Sequence, residues 1–408
     1  MKILFLTDNF PPEVNAPATR TYEHCKEWVK KGAEVTVITG APNFPIGKVY
    51  EGYKNHLYKK EIMDGIRVIR VWTYITANKG IIKRTLDYIS YRLSAVFFGR
   101  FQECDLIIGT SPQLFTALAA RKLARIKKKP WIMEVRDIWP ESIKTVGAVK
   151  EGLILKYFER KERQCYRSAS KIICVTQGIY DRLLSRGVLK SKLEVFTNGA
   201  NLVSYKPREK DKSLLLTLSL TGKKIVGYIG TMGMSHKLDF ILRCASKITD
   251  PDIHFLLIGE GAEKEKLQQL KQTLNLNNVT ILDGISKMEV PQYISVIDIA
   301  LVNLKRTDLF LGALPSKIFE NAAMEKPILL GLQGEAEAVI NKYHAGLAFM
   351  PENEEDFIEK LQKLTKNSEF YMLCVDGCRK LAQDYDRKKI AYEMLKSIIE
   401  LEDQNNGN

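Results

Sequence analysis

Short, nearly continuous apolar runs alternate with amphipathic stretches along this chain, and this alternation limits the folds available to it. The first series of runs lies at 3–7, 35–39, 67–71, 106–109, 131–134 and 172–176, and a second lies at 224–229, 254–259, 279–282, 299–304 and 327–331. Between several runs, as at 19–31 and 113–127, apolar residues recur at helical spacing. Strands that are apolar on both faces and alternate with helices are typical of covered parallel sheets. We therefore expect an α/β protein with two doubly wound Rossmann-like domains.

The charge differs between the two halves. Residues 1–200 contain 35 Lys and Arg against 19 Asp and Glu, and residues 201–408 contain 27 against 29. The basic half is expected to face an anionic partner, although a solvated basic surface is the simpler alternative. We predict an N-terminal domain at 1–200, joined by a C-terminal helix at 380–402, and a C-terminal domain at 201–380. The polar tail at 403–408 is expected to be disordered.

Several protein classes fit the sequence poorly. It contains no run of 18 or more apolar residues, and the opening stretch 1–8 is typical of a buried strand rather than a signal peptide. The seven cysteines are scattered, which favours a reduced cytoplasmic compartment. No nucleic-acid-binding motif occurs, and we expect no nucleic-acid partner.

Glycines follow several predicted strands, where ligands of open parallel sheets bind. Gly230 and Gly233 follow one strand, Gly259 follows the next, and Gly284 follows a third. Glycines let backbone N–H groups approach an anion closely, and Lys237 stands just beyond the first of these loops. Ordinary turn chemistry is the alternative for each loop alone.

The segment 314–327 is the most specific indication of chemistry. Ser316 follows a proline and is predicted to cap a helix. Lys317 and Glu320 are three residues apart and share a helix face. A lysine at a helix start favours phosphate, and a carboxylate one turn deeper accepts hydrogen bonds from a ribose diol. The segment predicts a nucleotide-diphosphate site, and a capped surface helix with a chance ion pair is the alternative.

In their order and spacing these features resemble the family 4 glycosyltransferases, which have the GT-B fold, two Rossmann-like domains facing a cleft. The resemblance rests on the opening strand with its proline-rich loop, the segment 31–39, the Asn198-Gly199 junction, the Gly230 loop with Lys237, the segment 257–261, Tyr293 with Asp298, and the segment 315–327. The strings 136–140 and 315–317 are similar to those of bacterial transferases that build capsule, O-antigen or exopolysaccharide repeats.

The resemblance implies a retaining transfer from a nucleotide-diphosphate sugar, most often a UDP-hexose or UDP-N-acetylhexosamine, to a glycan or lipid-linked glycan. It places the donor on the C-terminal domain and the acceptor on the N-terminal domain. The implied nucleotide- and diphosphate-binding residues are Gly230, Thr231, Gly233, Lys237, Gly259, Gly284, Ile285, Arg306, Leu314, Ser316, Lys317 and Glu320. Those implied for the donor sugar and acceptor are Asn15, Ala16, Arg20, Trp139, Gly312 and Ala313, and the catalytic residues are Asp137, Arg136 and Lys237.

This chain departs from the family pattern at three positions. Thr231 stands where many members carry an arginine, so Lys317 or Arg306 is expected to supply the positive charge. Gly312 replaces the first of two paired glutamates, and Arg136 stands where many members carry a histidine. An arginine does not act as a general acid or base at neutral pH, so Arg136 or Asp137 takes part differently.

No Asp-x-Asp metal motif stands out in a loop, and we expect no metal and no cofactor, since the nucleotide sugar is a substrate. Lysines and helix N-termini are expected to stabilise the departing diphosphate instead. A UDP-sugar epimerase is the nearest alternative, since it shares the two-domain architecture, but it would need a carboxylate pair and a histidine at the nucleotide.

Two stretches bear on a membrane partner. The segment 83–101 carries Leu86, Ile89, Leu93, Val96 and Phe97 at helical spacing among basic residues and the aromatic residues Tyr88, Tyr91 and Phe98, and 121–129 holds six basic residues in nine. One interpretation is an anionic membrane surface, which would make the protein peripheral at the inner face of the cell membrane. The other is that the apolar stripe is the core face of a domain helix.

Overall fold

The structure, a computed structural model, describes residues 1–44, 47–76, 81–139 and 152–406. The chain divides into two units, Met1–Thr197 with Arg387–Asn408, and Asn198–Asp386. The division falls a few residues before the predicted one, and the returning segment begins at Arg387 rather than at residue 380. No helix in the described part of the chain is long and apolar enough to cross a membrane.

The elements alternate as the apolar runs predicted. The strands are β1 (Lys2–Leu6), β2 (Glu34–Thr39), β3 (Tyr58–Met63), β4 (Ile66–Val71), β5 (Leu106–Thr110), β6 (Trp131–Val135), β7 (Lys171–Cys174), β8 (Leu193–Val195), β9 (Lys224–Ile229), β10 (Ile253–Ile258), β11 (Val279–Leu282), β12 (Ile299–Asn303), β13 (Ile328–Gly331) and β14 (Gly346–Ala348). The helices are α1 (Ala16–Lys30), α2 (Ile81–Gly99), α3 (Leu114–Lys127), α4 (Leu153–Ser168), α5 (Gln177–Ser185), α6 (Lys212–Thr217), α7 (Leu238–Ser246), α8 (Lys264–Thr273), α9 (Val290–Val296), α10 (Ser316–Ala323), α11 (Glu335–Tyr343), α12 (Glu354–Lys366), α13 (Ser368–Asp384) and α14 (Arg387–Asn406). Single 3₁₀ turns lie at Lys190–Lys192, Met234–His236 and Asp308–Phe310.

The first unit is built on a sheet with the strand order β3-β4-β2-β1-β5-β6-β7-β8. All its strands are parallel except β3, which pairs antiparallel with β4. The chain moves outward in one direction from β1 and then in the other from β5, so the strand order reverses between these two. In such sheets, ligands bind at the carboxyl ends of the strands that flank the reversal.

The second unit is built on a parallel sheet with the order β11-β10-β9-β12-β13-β14. Its strand order reverses between β9 and β12. Side chains of both central strands are buried on both faces, as in Ile225 and Val226 of β9 and Ala300 and Leu301 of β12. The prediction of two parallel-sheet α/β domains is therefore confirmed.

The last helix, α14, belongs to the first unit. Trp28 Nε1 donates to the Ala391 carbonyl at 2.7 Å, and Lys171 Nζ donates to the Ser397 carbonyl at 3.0 Å. The helix continues to Asn406. The predicted disorder of the tail is therefore wrong for 403–406, because a helix docked on the sheet layer extends into it, and 407–408 lie outside the described residues.

A buried ion pair lies at the carboxyl end of β6 in the first unit. Arg20 Nε donates to Glu134 Oε1 at 2.9 Å, and the two side chains are 2% and 1% exposed. The other guanidinium nitrogens of Arg20 donate to the Thr197 and Phe196 carbonyls, at 2.6 and 2.7 Å. Burial alone would raise the pKa of Glu134, but Arg20, Arg136 and the Thr110 hydroxyl hold it below its usual value. The pair thus ties α1 to β6 and to the residues that follow β8, the last strand of this sheet.

We expect Arg20→Met to lower the free energy of unfolding by about 3–5 kcal/mol, because it leaves the Glu134 carboxylate buried without its partner. The double variant Arg20→Met/Glu134→Gln should recover much of the loss. Urea unfolding at pH 7 measures both. Lys30→Met is the matched control on the same helix, since it removes the solvent-exposed pair with Glu27 and should cost at most about 1 kcal/mol. An Arg20→Met cost no larger than that of the control would contradict the role given to the pair.

Candidate functional site

In the second unit, the loop after β9 is hydrogen-bonded to the loop after β10, next to the point where the strand order reverses. The Gly230 N–H donates to the Ile258 carbonyl, and the Met232 N–H donates to the Glu260 carbonyl, both at 2.8 Å. A Cβ atom on Gly259 would lie 1.8 Å from the Gly230 carbonyl oxygen, so this approach requires glycine. Two of the predicted glycines, Gly230 and Gly259, are therefore brought into contact.

Lys317 of α10 reaches under the Gly230 loop. Its Nζ atom lies 3.7 Å from the ring centroid of Tyr228, and a Cβ atom on Gly230 would lie 2.5 Å from this nitrogen. The residue as a whole keeps some exposed surface, but Nζ itself is buried and has no hydrogen-bond partner in the described structure. Burial lowers the pKa of Lys317 to about 7, against the opposing effect of Glu320. The site thus holds a buried amine with no anion bound to it.

Two more polar atoms near this loop are buried and lack partners among the described residues, His236 Nδ1 and Asn303 Oδ1. The Asn303 amide donates to the His236 carbonyl at 2.8 Å, and the His236 ring lies 5.9 Å from that of Tyr228. Burial, and then the charge of Lys317, lower the pKa of His236 to about 4. Sequence reasoning missed Asn303, whose signal is a polar residue ending an otherwise apolar strand.

The N-terminal turn of α10 differs from the prediction. The helix begins at Ser316 itself, and the residue at the cap position is Pro315, which has no side-chain cap. The prediction that Ser316 caps the helix is therefore wrong, because the extended backbone of Pro315 (φ −61°, ψ 132°) already precedes the first turn. Lys317 and Glu320 both lie on this helix, as predicted.

Lys237 is held differently from Lys317. It stands in the left-handed conformation (φ 50°) immediately before α7, and its Nζ lies 3.1 Å from Asp239 Oδ2. Both side chains are about one-third exposed. Lys237 is therefore a surface cation, already shared with a carboxylate.

The remaining predicted donor residues occupy the same sheet edge or the connections near it. Thr231 is exposed, and its carbonyl accepts from the Tyr228 hydroxyl at 2.5 Å. The Gly284 N–H donates to Glu260 Oε1 at 2.9 Å, and the Arg306 N–H donates to Glu352 Oε1 at 2.9 Å. Gly233 precedes the Met234–His236 turn, Ile285 packs on the core beside β10, Leu314 is buried, and Gly312 and Ala313 connect the Asp308–Phe310 turn to α10.

In the first unit, Ser111 positions the turn after β6. Its Oγ accepts from the N–H groups of Arg136 and Asp137, at 2.8 and 3.3 Å. Arg136 Nη1 is buried without a partner in the described part, and burial lowers the pKa of Arg136 to about 10, with Glu134 opposing, so it stays charged at neutral pH. The surrounding protein raises the pKa of Asp137, with Arg136 opposing, although the residue keeps exposed surface.

Two predicted acceptor residues have structural roles instead. Arg20 is buried and its guanidinium is occupied by Glu134 and two carbonyls, so it presents no free cation to a ligand. Asn15 caps α1 by accepting from the Ala18 N–H at 2.9 Å. Ala16 is exposed at the start of α1, and Trp139 packs edge-on against Phe158, 5.1 Å between centroids. Pro140 and Glu141 of the same string lie outside the described residues.

Three carboxyl groups near the carboxyl end of β1 were not identified as candidates from the sequence. Burial raises the pKa of Asp8 to about 6, and it raises those of Glu13 and Asp87 to about 7, with the charge of Asp8 adding to both. Asp8 follows the first strand directly, which is a readable signal, whereas Asp87 lies within α2 and offers none. No group of three or more potential metal ligands occurs among the described residues.

Comparisons with known proteins cover both units. Residues 17–203 match the family model for Glycosyltransferase Family 4, and residues 217–380 match that for Glycosyl transferases group 1. A protein named as a colanic acid biosynthesis glycosyl transferase, WcaI of Escherichia coli (strain K12), is 26% identical over 328 residues, which span 78% of this chain and 80% of that protein.

Solved structures share the fold. HepE of Anabaena, in complex with UDP, superposes with a TM-score of 0.72 at 15% identity over 98% of this chain and all of that one. Sucrose-phosphate synthase of Thermosynechococcus elongatus superposes with a TM-score of 0.77 at 16% identity over 98% of each chain. The chain is therefore a glycosyltransferase of the GT-B fold and belongs to the family 4 glycosyltransferases.

Proposed function

We propose that the protein transfers a sugar, with retention, from a UDP-linked donor to a glycan or lipid-linked glycan during the synthesis of a surface polysaccharide. The observation that carries the proposal is the amine of Lys317, which is buried against the Gly230 loop without a hydrogen-bond partner among the described residues. The name of the Escherichia coli relative supports the polysaccharide, and the Anabaena structures with UDP and with UDP-glucose support the donor.

The donor's diphosphate binds on the loop from Gly230 to Gly233, at the carboxyl end of β9, where open parallel sheets bind their ligands. Lys317 beneath the loop and Lys237 beside it provide positive charge for the leaving diphosphate. Glu320, one turn along α10 from Lys317, accepts from the ribose hydroxyls. Tyr228 holds the Thr231 carbonyl through its hydroxyl and carries Lys317 on its ring face, so it fixes the loop relative to this charge.

The acceptor binds the first unit at the edge where β1, β5 and β6 end. Arg136 supplies a permanent positive charge there and does not act as a general acid or base. Asp137 and Asp8, whose pKa values are raised, accept hydrogen bonds from acceptor hydroxyls. Transfer proceeds without a divalent metal or another cofactor.

An exposed apolar stripe on α2 indicates where the protein encounters its acceptor. Leu86, Ile89, Leu93 and Phe97 are 48, 37, 65 and 50% exposed, and Phe101, just beyond the helix, is 63% exposed. The core face of α2 is formed by other residues, such as the fully buried Tyr91 and Ala95. The interpretation of the stripe as the core face of the helix is therefore wrong for Leu86, Ile89, Leu93 and Phe97. Val96, by contrast, packs against the core, and the prediction that Tyr91 belongs to a membrane surface is wrong because its ring is buried.

Basic residues surround this stripe. The Arg100 guanidinium lies 4.5 Å from the ring centroids of both Phe97 and Phe101. Helix α3 packs beside α2 and exposes Lys122, Arg125, Lys128 and Lys129. Exposed aromatic rings with stacked arginines and a basic flank are complementary to an anionic bilayer. We propose that this face docks the protein on the inner, anionic surface of the cell membrane, where a lipid-linked acceptor is presented.

Glu320→Ala is expected to weaken UDP about ten- to a hundredfold and inorganic pyrophosphate hardly at all, because a hydrogen bond to a charged group contributes about 1.5–3 kcal/mol and pyrophosphate has no ribose. Isothermal titration calorimetry measures both ligands. The control is Glu325→Ala, which removes the carboxylate paired with Arg379 just beyond the same helix. Equal losses for UDP and pyrophosphate would show that Glu320 acts by placing Lys317 instead.

We expect UDP release from a UDP-sugar only when an acceptor is present, with or without a chelator. Coupled detection of UDP, together with chromatography of the nucleotide sugar, follows both fates of the donor. Interconversion of the free nucleotide sugar without an acceptor would establish the epimerase instead. Loss of transfer in the chelator that magnesium restores would refute metal independence.

Replacing Leu93, Phe97 and Phe101 with serine should reduce sedimentation with vesicles of phosphatidylglycerol at least tenfold, since it removes the apolar part of the docking face. Binding of the unaltered protein should weaken as salt rises and should be absent on phosphatidylcholine, because each nearby basic residue contributes about 1 kcal/mol only on an anionic surface.

The matched control replaces apolar residues that are equally exposed on the second unit, Val203, Leu216 and Met288, with serine. This control should bind vesicles as the unaltered protein does. Equal loss in both triple variants, or no binding of the unaltered protein at low salt, would contradict the membrane face while leaving the donor site untouched.

A further inference from the structure

Among the described residues, no carboxylate makes a hydrogen bond with the Lys317 amine. Its Nζ lacks any hydrogen-bond partner there and rests on the Tyr228 ring face, which attracts a cation only weakly compared with an anion. Arg20, a buried cation of the first unit, is by contrast paired directly with Glu134. The Lys317 amine is therefore placed where its charge costs free energy until something anionic arrives.

The groups that face this amine come from three elements. Glu320 lies one turn along α10 and favours the charged amine from a distance. Tyr228 on β9 contributes its ring, and burial holds the pKa of its hydroxyl above the usual value. His236, in the turn after β9, has a pKa near 4 and is neutral above pH 6. Between pH 6 and 8, His236 therefore stays neutral, whereas the charge of Lys317 changes appreciably.

The amine lies close enough to the loop for its charge to respond to an anion bound there. A Cβ atom on Gly230 would lie 2.5 Å from Nζ, so the amine stands directly against the loop at Gly230. A diphosphate bound on this loop would therefore lie close to the amine. Across so short and poorly solvated a distance, the attraction between an anion and an ammonium is far stronger than in water.

We propose that Lys317 makes donor binding proton-linked: the chain takes up one proton from solvent at the Lys317 amine when the donor's diphosphate binds, and returns it when the nucleotide leaves. The proposal rests on the diphosphate site proposed above. It assigns to Lys317 the role of a positioning charge that is switched on by its own ligand, in contrast to the exposed and already paired Lys237.

The direction of the pH dependence follows from linkage. The free protein has a Lys317 pKa of about 7, and a bound dianion raises it. Below pH 7 the amine is already charged, and little proton is taken up. Above pH 7 part of the binding free energy is used to protonate the amine. Affinity therefore falls by up to about tenfold per pH unit, until the pH reaches the pKa of Lys317 in the complex.

The test is calorimetry of UDP-glucose binding to the full chain, in buffers of different ionisation enthalpy. UDP-glucose is suitable because its phosphodiesters do not titrate in this range. We expect an uptake of about 0.1 proton at pH 6 and about 0.9 at pH 8, with about tenfold weaker binding at pH 8. Uptake below about 0.2 proton at pH 8, with binding intact, would overturn the proposal.

Variants separate Lys317 from other titrating groups. Lys317→Arg keeps a charge at every pH, so uptake should vanish and affinity should become flat between pH 6 and 8. Lys317→Met should bind weakly, also without uptake, and should raise the Tm of the free protein at pH 6, since a buried charge is removed. His236→Gln should leave the uptake unchanged, because His236 is neutral throughout.

Different results would contradict the donor site and the proton linkage. Absence of binding by any nucleotide sugar at either pH would contradict the proposed donor site. Tight binding without proton uptake would leave that site standing and contradict only the linkage at Lys317. The measurement on the unaltered protein decides the matter even if an arginine does not fit beneath Gly230.

Discussion

The contact between the Lys317 amine and the Gly230 backbone is the constraint on which the candidate site depends. Gly230 has a φ of 145°, which favours glycine, and a Cβ atom there would displace the lysine amine from its place on the Tyr228 ring. The loop that carries Gly230 is in turn held against the loop after β10 by two backbone hydrogen bonds and by a second glycine, Gly259. The strand order places this assembly at the reversal between β9 and β12, where an open parallel sheet binds its ligands.

Arg20 and Lys317 are two buried cations that differ in whether the protein supplies a counter-charge in contact with them. In the first unit, Arg20 and Glu134 neutralise each other, and Arg20 also ties two carbonyls near the end of the unit. This cation stabilises the fold and is not available to a ligand. In the second unit, the Lys317 amine is buried without such a partner. A protein retains an uncompensated charge at a cost in stability, and this cost is understandable if a ligand supplies the missing anion.

The sequence predicted the two sheets well because their strands are buried on both faces and appear as apolar runs. It missed β3, whose edge position leaves polar side chains such as Lys59, Lys60 and Glu61 in the strand, and it missed β8 and β14, which are three residues long. These strands carry too little apolar pattern to be distinguished from loops.

Predictions about the site succeeded or failed according to the range of the interactions involved. The spacing of Lys317 and Glu320 placed both on one helix, because helical periodicity is local. The same local reasoning was wrong for Ser316, where the preceding proline takes the cap position. For Arg20, no local pattern reveals that its guanidinium is occupied by Glu134 on a distant strand. The burial of the Lys317 amine depends on a loop far away in the chain, and only the folded structure shows it.

The most direct test of this account is to follow the protonation of Lys317 itself, by NMR of its labelled Cε in the free protein and with saturating UDP-glucose. The account predicts a midpoint near pH 7 in the free protein and a charged amine up to at least about pH 9 in the complex, because a bound dianion favours the charged form. The same midpoint with and without the nucleotide sugar would contradict the account, since it would show that the bound diphosphate does not act on the Lys317 amine.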